Sequence, residues 1–327
     1  MAFHPAEHHD FNLHEKMAWD LDWNLLRTFT VIVQEQSITG AAARLDLKQP
    51  TVSNALKRLE RGLGVRLIDR GPRTFEVTPA GEALYRESRA IFGTVSGLGS
   101  VLELAGDEVT GTVKLIMASH VVTPLLDETL AEFHELHPAA SVKITIEHSR
   151  AVAEAVFEKR AALGICLVRE PMDHLDYTHL YTEHFGFFCG PRHRLFGIEG
   201  LTLEDLRGEH CVSFIADQMN EALRPVAMLR AEAELDQNIS GTSTNLEEIR
   251  RMVLAGMGIG ALPIHVVEAD VESGLLFRLP PYEHPPAVDV WMMKNPASTL
   301  GKAESEFIRI LEERVARTPH EERTYGA

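Results

Sequence analysis

Apolar residues recur at helical spacing through the N-terminal part of the chain, then give way to short apolar runs alternating with helical stretches. From Trp23 to Gln36, Leu26, Phe29, Ile32 and Val33 form one stripe and predict a core helix. A short Ala-rich helix over Ser37–Leu45 follows, then a tight Asp46–Gln49 connection and a helix with Pro50 in its first turn. In that last helix Val52, Leu56, Leu59 and Leu63 share a stripe, which leaves Ser53, Asn54, Lys57, Arg58 and Arg61 facing outward. This is a helix-turn-helix pattern whose outward face is short, polar and basic, as a helix entering a major groove requires. Amphipathic helix pairs are also ordinary structural hairpins, so the sequel matters. Glu60–Arg70 runs into Gly71–Gly81 as two short β-like runs around a turn, followed by a helix start, which makes a winged helix-turn-helix.

A long helix is predicted from about Pro79 to Ala105. Leu84, Ile91, Leu98 and Ala105 repeat every seven residues, with Ser88, Val95 and Leu102 between them. A small winged domain cannot bury so long a stripe, so Leu84, Ile91, Val95, Leu98 and Leu102 are expected to dimerise. Gly93, Gly97 and Gly99 weaken the helix by up to ~1 kcal/mol each relative to Ala, consistent with close packing or a bend. Ala105–Glu108 reads as a hinge.

Beyond it, strands over Gly111–Ala118, Ser141–Glu147 and Leu163–Val168 alternate with helices over Pro124–His137 and Ala151–Lys159. This rhythm implies a parallel sheet covered by helices. A second unit comprises Tyr181–Cys189, a Pro191-Arg192-His193 turn, Thr202–Leu206, Cys211–Ile215, a helix over Asn220–Glu232 and Leu246–Ala255. Gly256–Pro263 closes that helix and opens a strand, and a last helix over about Leu300–Arg317 returns to the first unit.

The stretch from Leu26 to about Leu104 resembles the DNA-binding domain and linker helix of LysR-type transcriptional regulators. The resemblance rests on Leu59-Glu60, Leu63-Gly64, Leu67-Ile68-Asp69-Arg70 and Thr78-Pro79-Ala80-Gly81, and extends over nearly the whole chain. Ile68 replaces a usual aromatic, and Arg61-Gly62 fills a usually acidic position. The family implies a winged helix-turn-helix domain, a long linker helix and a two-lobed α/β effector domain, itself similar to periplasmic solute-binding proteins. The expected division is a flexible leader (1–20), the winged domain (21–80), the linker and dimerisation helix (79–106), the effector domain (110–318) and a tail (319–327). Within the effector domain, lobe I is expected at about 110–172 and 295–318 and lobe II at about 173–294.

The resemblance also implies a regulator acting as a dimer or homotetramer on double-stranded promoter or operator DNA, controlled by a small-molecule effector and contacting RNA polymerase. Thr51, Ser53 and Asn54 would read base edges, with Gln49 and Pro50 opening the helix beside them. Lys57, Arg58, Arg70 and Arg73 would hold phosphates or the minor groove. No cofactor or metal is expected.

Charge distribution agrees with one basic module on an acidic body. The chain has 327 residues and a net charge of -16. Residues 23–78 hold nine Lys or Arg against five acids, which is +4 and leaves -20 on everything else. No stretch approaches the roughly 20 apolar residues of a membrane span, and no basic region precedes an apolar core at the N-terminus, so a cytoplasmic chain without membrane contact is expected. His4, His8, His9 and His14 read as a flexible leader, or an upstream extension if translation starts at Met17, rather than as a metal site. Cys166, Cys189 and Cys211 form no CxxC and read as reduced, mostly buried thiols rather than a redox pair.

Ser119, His120 and Thr123 follow the first strand and precede a helix, so hydroxyls and free N–H groups there would favour a carboxylate or other anion. Each Ser or Thr is equally a helix cap. Ser243, Thr244 and Asn245 precede another helix, with Thr244 and Glu247 at capping-box spacing. His148, Ser149, Phe214 and Ile215 end strands facing the cleft and complete the candidates. Where the family usually has an acid in the strand after its second helix, this chain has Leu163-Gly164-Ile165, which predicts a nonstandard lobe contact or inducer geometry.

Two other readings stand beside the effector-controlled regulator. One is a ligand-independent repressor or architectural DNA-binding protein. The other is an enzyme on the α/β body, for which the chain has no H-E-x-x-H, G-x-S-x-G, Walker A or Rossmann glycine pattern.

Overall fold

Each helix of the N-terminal part starts where the sequence offers a cap or a proline. In the computed structural model, which describes residues 21–70, 75–96, 108–215 and 222–326, helix α1 spans Trp23–Glu35 and Asp22 accepts the Asn24 N–H at 3.1 Å. Helix α2 (Ile38–Arg44) is capped by Ser37, which accepts the Gly40 N–H at 3.1 Å. Helix α3 (Gln49–Leu63) opens with Pro50 in its first turn and stops at Gly64, whose φ of 69° is left-handed. Phe29, Ile32, Val52, Leu56 and Leu59 close a core with Leu67 and Ile68. Ile68 therefore keeps the apolar character of the position where the family has an aromatic.

Strand β1 (Ile68–Arg70) pairs antiparallel with β2 (Phe75–Val77) to form the wing. Helix α4 (Pro79–Ser96) follows, and Thr78 fixes its start: its Oγ1 accepts the Gly81 N–H at 3.0 Å and donates to the Arg66 carbonyl at 2.9 Å. A Cβ at position 81 would lie 2.1 Å from the Leu67 carbonyl, so only glycine fits the close approach of α4 to the wing. On α4, Leu84 and Ile91 are half-buried and pack on one side against the winged core, and Ser88 is buried. Phe92 and Val95 remain exposed. Leu98 and Leu102, Gly97 and Gly99, and most of the expected hinge lie outside the described residues, as do the leader and Arg73.

The chain divides into two compact units, Met1–Val95 and Ser96–Ala327. In the second, strand β3 (Gly111–Met117), helix α5 (Pro124–Leu136), β4 (Ala140–Ile146), α6 (Ser149–Phe157) and β5 (Leu163–Leu167) form the expected parallel sheet in the order β4-β3-β5. Strand β6 (Asp176–Cys189) is long enough to serve two sheets. Strand β7 (Cys211–Phe214), helix α7 (Arg224–Glu232), β8 (Ile239–Ser243), α8 (Leu246–Leu254) and β9 (Ile259–Pro263) build the second lobe. Helix α9 (Glu268–Glu272), strands β10 (Phe277–Leu279) and β11 (Ala287–Lys294) and helix α10 (Lys302–Arg317) lead back, and α10 packs on α5 and β3.

The lobes exchange chain through β6 and β11. Residues Asp176–His184 of β6 pair with β11, and residues Phe185–Phe188 pair with β9. The expected lobe boundaries at 173 and 294 are therefore displaced: the first half of β6 and most of β11 belong to lobe I, because β11 also pairs with β5.

The expected tail is also ordered. After α10, residues His320–Arg323 form a 3-10 turn and β12 (Thr324–Tyr325) pairs parallel with β6 at Thr182 and Glu183. The reason is an unsatisfied edge: β11 takes one side of β6 there, β9 ends at Pro263 on the other, and β12 occupies the edge that β9 leaves. Arg323 anchors the turn by donating to the carbonyls of His179 at 3.0 Å and Leu180 at 2.7 Å.

Cys166, Cys189 and Cys211 are free and buried. Burial pushes the Cys166 and Cys189 thiols up to about 12, which leaves them unreactive. Among the described residues no His, Cys, Asp and Glu group could hold a metal ion, and no helix is long and apolar enough to cross a membrane.

Candidate DNA interface and inter-lobe cleft

The α3 stripe of Val52, Leu56 and Leu59 faces the core, so helical geometry turns Gln49, Pro50, Thr51, Asn54, Lys57 and Arg58 outward, with Ser53 half-buried beside them. Arg58 donates to Asp22 at 3.3 Å, and Arg70 lies 3.8 Å from Glu60. The Arg58–Asp22 pair is a surface pair that contributes little and is readily exchanged for a phosphate, whereas Glu60 is partly buried. Glu60, which the sequence pattern left without a role, tethers the wing: its Oε1 accepts the N–H groups of Leu67 at 3.0 Å and Ile68 at 3.4 Å. Its place in the Leu59-Glu60 motif was the available signal.

In the body, the chain leaves β3 and turns through residues 118–123 before Thr123 caps α5. That turn clasps lobe II at two points. Ser119 Oγ donates to the Thr244 carbonyl at 3.1 Å and accepts the Leu246 N–H at 3.0 Å. His265 Nε2 donates to the Val122 carbonyl at 3.0 Å. The anion-favouring N–H at the start of α8 is thus already taken by the chain's own hydroxyl, which a carboxylate would have to displace.

His120 points inward. Its Nε2 lies 3.5 Å from Glu183 Oε1, and both residues are buried. The distance suits an ion pair, but burial, aided by His265, lowers His120 to about 4, and burial raises Glu183 well above the usual carboxylate range. The two stand as a neutral pair. Neither Glu183 oxygen nor His120 Nε2 has a hydrogen-bond partner.

Thr123 is buried, accepts the Leu125 N–H at 3.3 Å and lies 3.0 Å from the Tyr325 hydroxyl. The Tyr325 ring sits 5.0 Å from His265 and 5.2 Å from Tyr181, and its carbonyl accepts from His184 Nδ1 at 2.9 Å. Glu183, His265 and Tyr325 thus join Ser119, His120 and Thr123, though no local sequence signal marked them.

The remaining candidates do structural work. His148 caps α6, its Nδ1 accepting the Ala151 N–H at 3.3 Å, and the Ser149 carbonyl accepts the Cys166 thiol at 3.5 Å. Phe214 is buried in the core. Ser243 Oγ accepts the Asn245 N–H at 3.1 Å. The capping box expected from Thr244 is not formed; Asn245 caps α8, accepting the Glu247 N–H at 2.9 Å, while Thr244 gives its carbonyl to Ser119. The missing acid in β5 has a packing cause: a Cβ at Gly164 would lie 2.7 Å from Val152 and 2.8 Å from Val156.

Thr182, His179 and Asp289 contact one another in the manner of a hydroxyl, imidazole and carboxylate set. Asp289 Oδ1 bonds the same His179 Nε2 that faces Thr182, each at 3.2 Å, and also accepts from Thr182 at 2.7 Å. An orienting carboxylate would need the opposite ring nitrogen, so this set lacks the relay geometry.

The model of the bacterial regulatory helix-turn-helix proteins of the lysR family matches residues 23–82, and that of the LysR substrate binding domain matches residues 106–316. The chain is 26% identical over 268 residues to the HTH-type transcriptional activator BauR of Pseudomonas aeruginosa, covering 80% of this chain and 85% of that protein. It is 29% identical over 255 residues to the HTH-type transcriptional regulator CfxR of Cupriavidus necator, covering 76% and 78%. Among solved structures, CbnR, a LysR family transcriptional regulator, superposes with TM-score 0.62 at 18% identity over 90% of this chain and 99% of that one. A single-site variant of full-length OxyR from Pseudomonas aeruginosa gives 0.57 at 19% identity over 94% and 99%. With a basic helix-turn-helix unit, a two-lobed body and matches spanning both, this chain belongs to the LysR family of transcriptional regulators.

Proposed function

We propose that the exposed face of α3 reads a specific operator and that a small molecule bound between the lobes changes how copies of the chain sit on that operator. The observation that carries this reading is the outward set of Thr51, Asn54, Lys57 and Arg58 on a helix whose other face is core. Asn54, Ser53 and Thr51 serve base edges; Lys57, Arg58, Arg70 and Arg73 serve phosphate or the minor groove. The seam at Ser119 supports an effector site, since a ligand entering there exchanges cross-lobe hydrogen bonds for its own. Self-association into dimers and tetramers is supported by Phe92 and Val95, exposed on α4. In this reading the protein is cytoplasmic, contacts RNA polymerase, carries no cofactor and turns over no substrate.

Selection from a random duplex library tests it. The expected result is enrichment of a partly palindromic site, with a footprint that a bound small molecule changes. Equal retention of all sequences would overturn base readout, and a footprint insensitive to every ligand that binds the body would leave a ligand-independent repressor.

A further inference from the structure

The segment after α10 fills a place in the inter-lobe cleft that a ligand would be expected to use. Its strand β12 pairs with β6 at the point where β6 passes from one lobe to the other, and so sets Tyr325 opposite Glu183. The phenol then touches both lobes: its hydroxyl lies 3.0 Å from Thr123 in lobe I, and its ring lies 5.0 Å from His265 in lobe II and 5.2 Å from Tyr181 on β6. These are ordinary aromatic spacings. Gly326, at φ 72°, passes so close to Ile264 that a Cβ there would lie 2.8 Å away.

A segment serving only as packing would leave the buried polar groups around it satisfied. Here they are not. His265 donates through Nε2 to the Val122 carbonyl, which leaves Nδ1 as an acceptor, buried and without a partner. Both Glu183 oxygens are likewise buried and without a hydrogen bond, with His120 Nε2 3.5 Å from Oε1. Glu183 and Tyr181 stand two apart on β6 and therefore share a face. The seat supplies aromatic walls, a hydroxyl at Thr123 and more hydrogen-bonding capacity than Tyr325 uses.

We propose that the seat of Tyr325 is the subsite for the ring of a phenolic effector and that the segment Thr324–Gly326 is its built-in competitor. This rests on the reading that an effector binds between the lobes and adds its chemical class and the step by which it acts. A phenol entering the seat takes the Thr123 contact and the walls of Tyr181 and His265, releases β12 from β6, and frees the crossing strand at which lobe movement must occur.

The test uses p-cresol as probe and toluene as its hydroxyl-free counterpart, with the full chain and Tyr325→Ala. In Tyr325→Ala, p-cresol is expected to raise the unfolding midpoint saturably at concentrations at least 10-fold below those at which toluene does so. The wild type and Tyr325→Phe are expected to bind p-cresol at least 10-fold more weakly, because their seat is filled. Binding to the wild type must raise hydrogen exchange over residues 320–326. If Tyr325→Ala does not fold, Gly326→Val unseats the segment while keeping the tyrosine, and the same gain in p-cresol affinity is expected. Filling of the variant without release of the segment in the wild type would mean a packing cavity only and would overturn the proposal. Equal affinity of p-cresol for wild type and Tyr325→Ala, or indifference to the hydroxyl, would overturn it as well. The effector reading fails separately. If a small carboxylate shifts operator binding while p-cresol does nothing, that reading stands and the present inference falls. If p-cresol releases the segment and operator binding does not change, the seat stands and the coupling to DNA falls.

Discussion

In the N-terminal unit most of the residues set for DNA are neighbours on one helix, exposed or half-buried and largely independent of one another, with Arg70 beside them on the wing. In the body the groups at the candidate site are buried or half-buried and bonded to partners far along the chain: Ser119 to Thr244, 125 residues away, and Thr123 to Tyr325, 202 residues away. A surface that reads a large polyanion needs donors held outward on a rigid element. A cleft for a small molecule needs water excluded and polar groups held by the fold until the ligand arrives. The first arrangement depends on a helix and its core stripe, the second on tertiary closure.

That contrast makes predictions of decreasing size. Phe29→Ala, in the centre of the winged core, should cost that unit about 3–5 kcal/mol and abolish operator binding, while small-molecule effects on unfolding of the body persist. Urea unfolding followed beside operator binding checks it, and loss of both signals together would contradict the separation into two units. Asn54→Ala should lose about 1–3 kcal/mol of discrimination at one base position, whereas Lys57→Ala should weaken all sequences alike and reduce the salt slope by about one. Titrations on matched and mismatched duplexes at several salt concentrations distinguish them; equal losses on random DNA would refute the division of roles.

Ser119→Ala removes two cross-lobe hydrogen bonds and should destabilise the body by about 1 kcal/mol per bond, leaving DNA affinity of the winged unit in place. A urea midpoint unchanged from wild type would show that the seam contributes nothing.

The smallest effect is one of pH. Folded Glu183 keeps a proton that the unfolded chain releases above its ordinary value of 4.5, so this group lowers stability as pH rises. His120, held at about 4 against an ordinary 6.5, works in the other direction: stability is lost as pH falls from 6.5 towards 4. Glu183→Gln keeps the shape and removes the first slope, with His120, Tyr181 and His265 still facing the site. Its unfolding midpoint should exceed that of the wild type by a margin that widens as pH rises from about 5 to about 8. A constant margin would mean that Glu183 is ionised in the folded chain.

Legibility followed the same contrast. The α3 face was readable because Val52, Leu56 and Leu59 set the helical phase, and Thr78 and Gly81 marked the start of α4 through requirements of their own, a cap and a missing Cβ. Ser119 and Thr123 were legible as positions and not as contacts. Ser119 proved to bind across the seam because α8 brings Leu246 to it, and Thr244 lost its expected capping role to Asn245. The heptad on α4 was legible as a stripe, but that Leu84 and Ile91 also pack against the winged core depended on how α4 leaves the wing.

Periodicity, caps and obligatory glycines act over a few residues, and they alone determined the helix-turn-helix, the alternating strands and helices, and the basic face of α3. The pairing of β6 with both β11 and β9, the neutral His120 and Glu183 pair, and the seating of Tyr325 were decided by tertiary structure. Each depends on which buried surfaces meet. That is a balance of desolvation and strand-edge satisfaction over the whole body, and the residues within reach of any one position do not contain it.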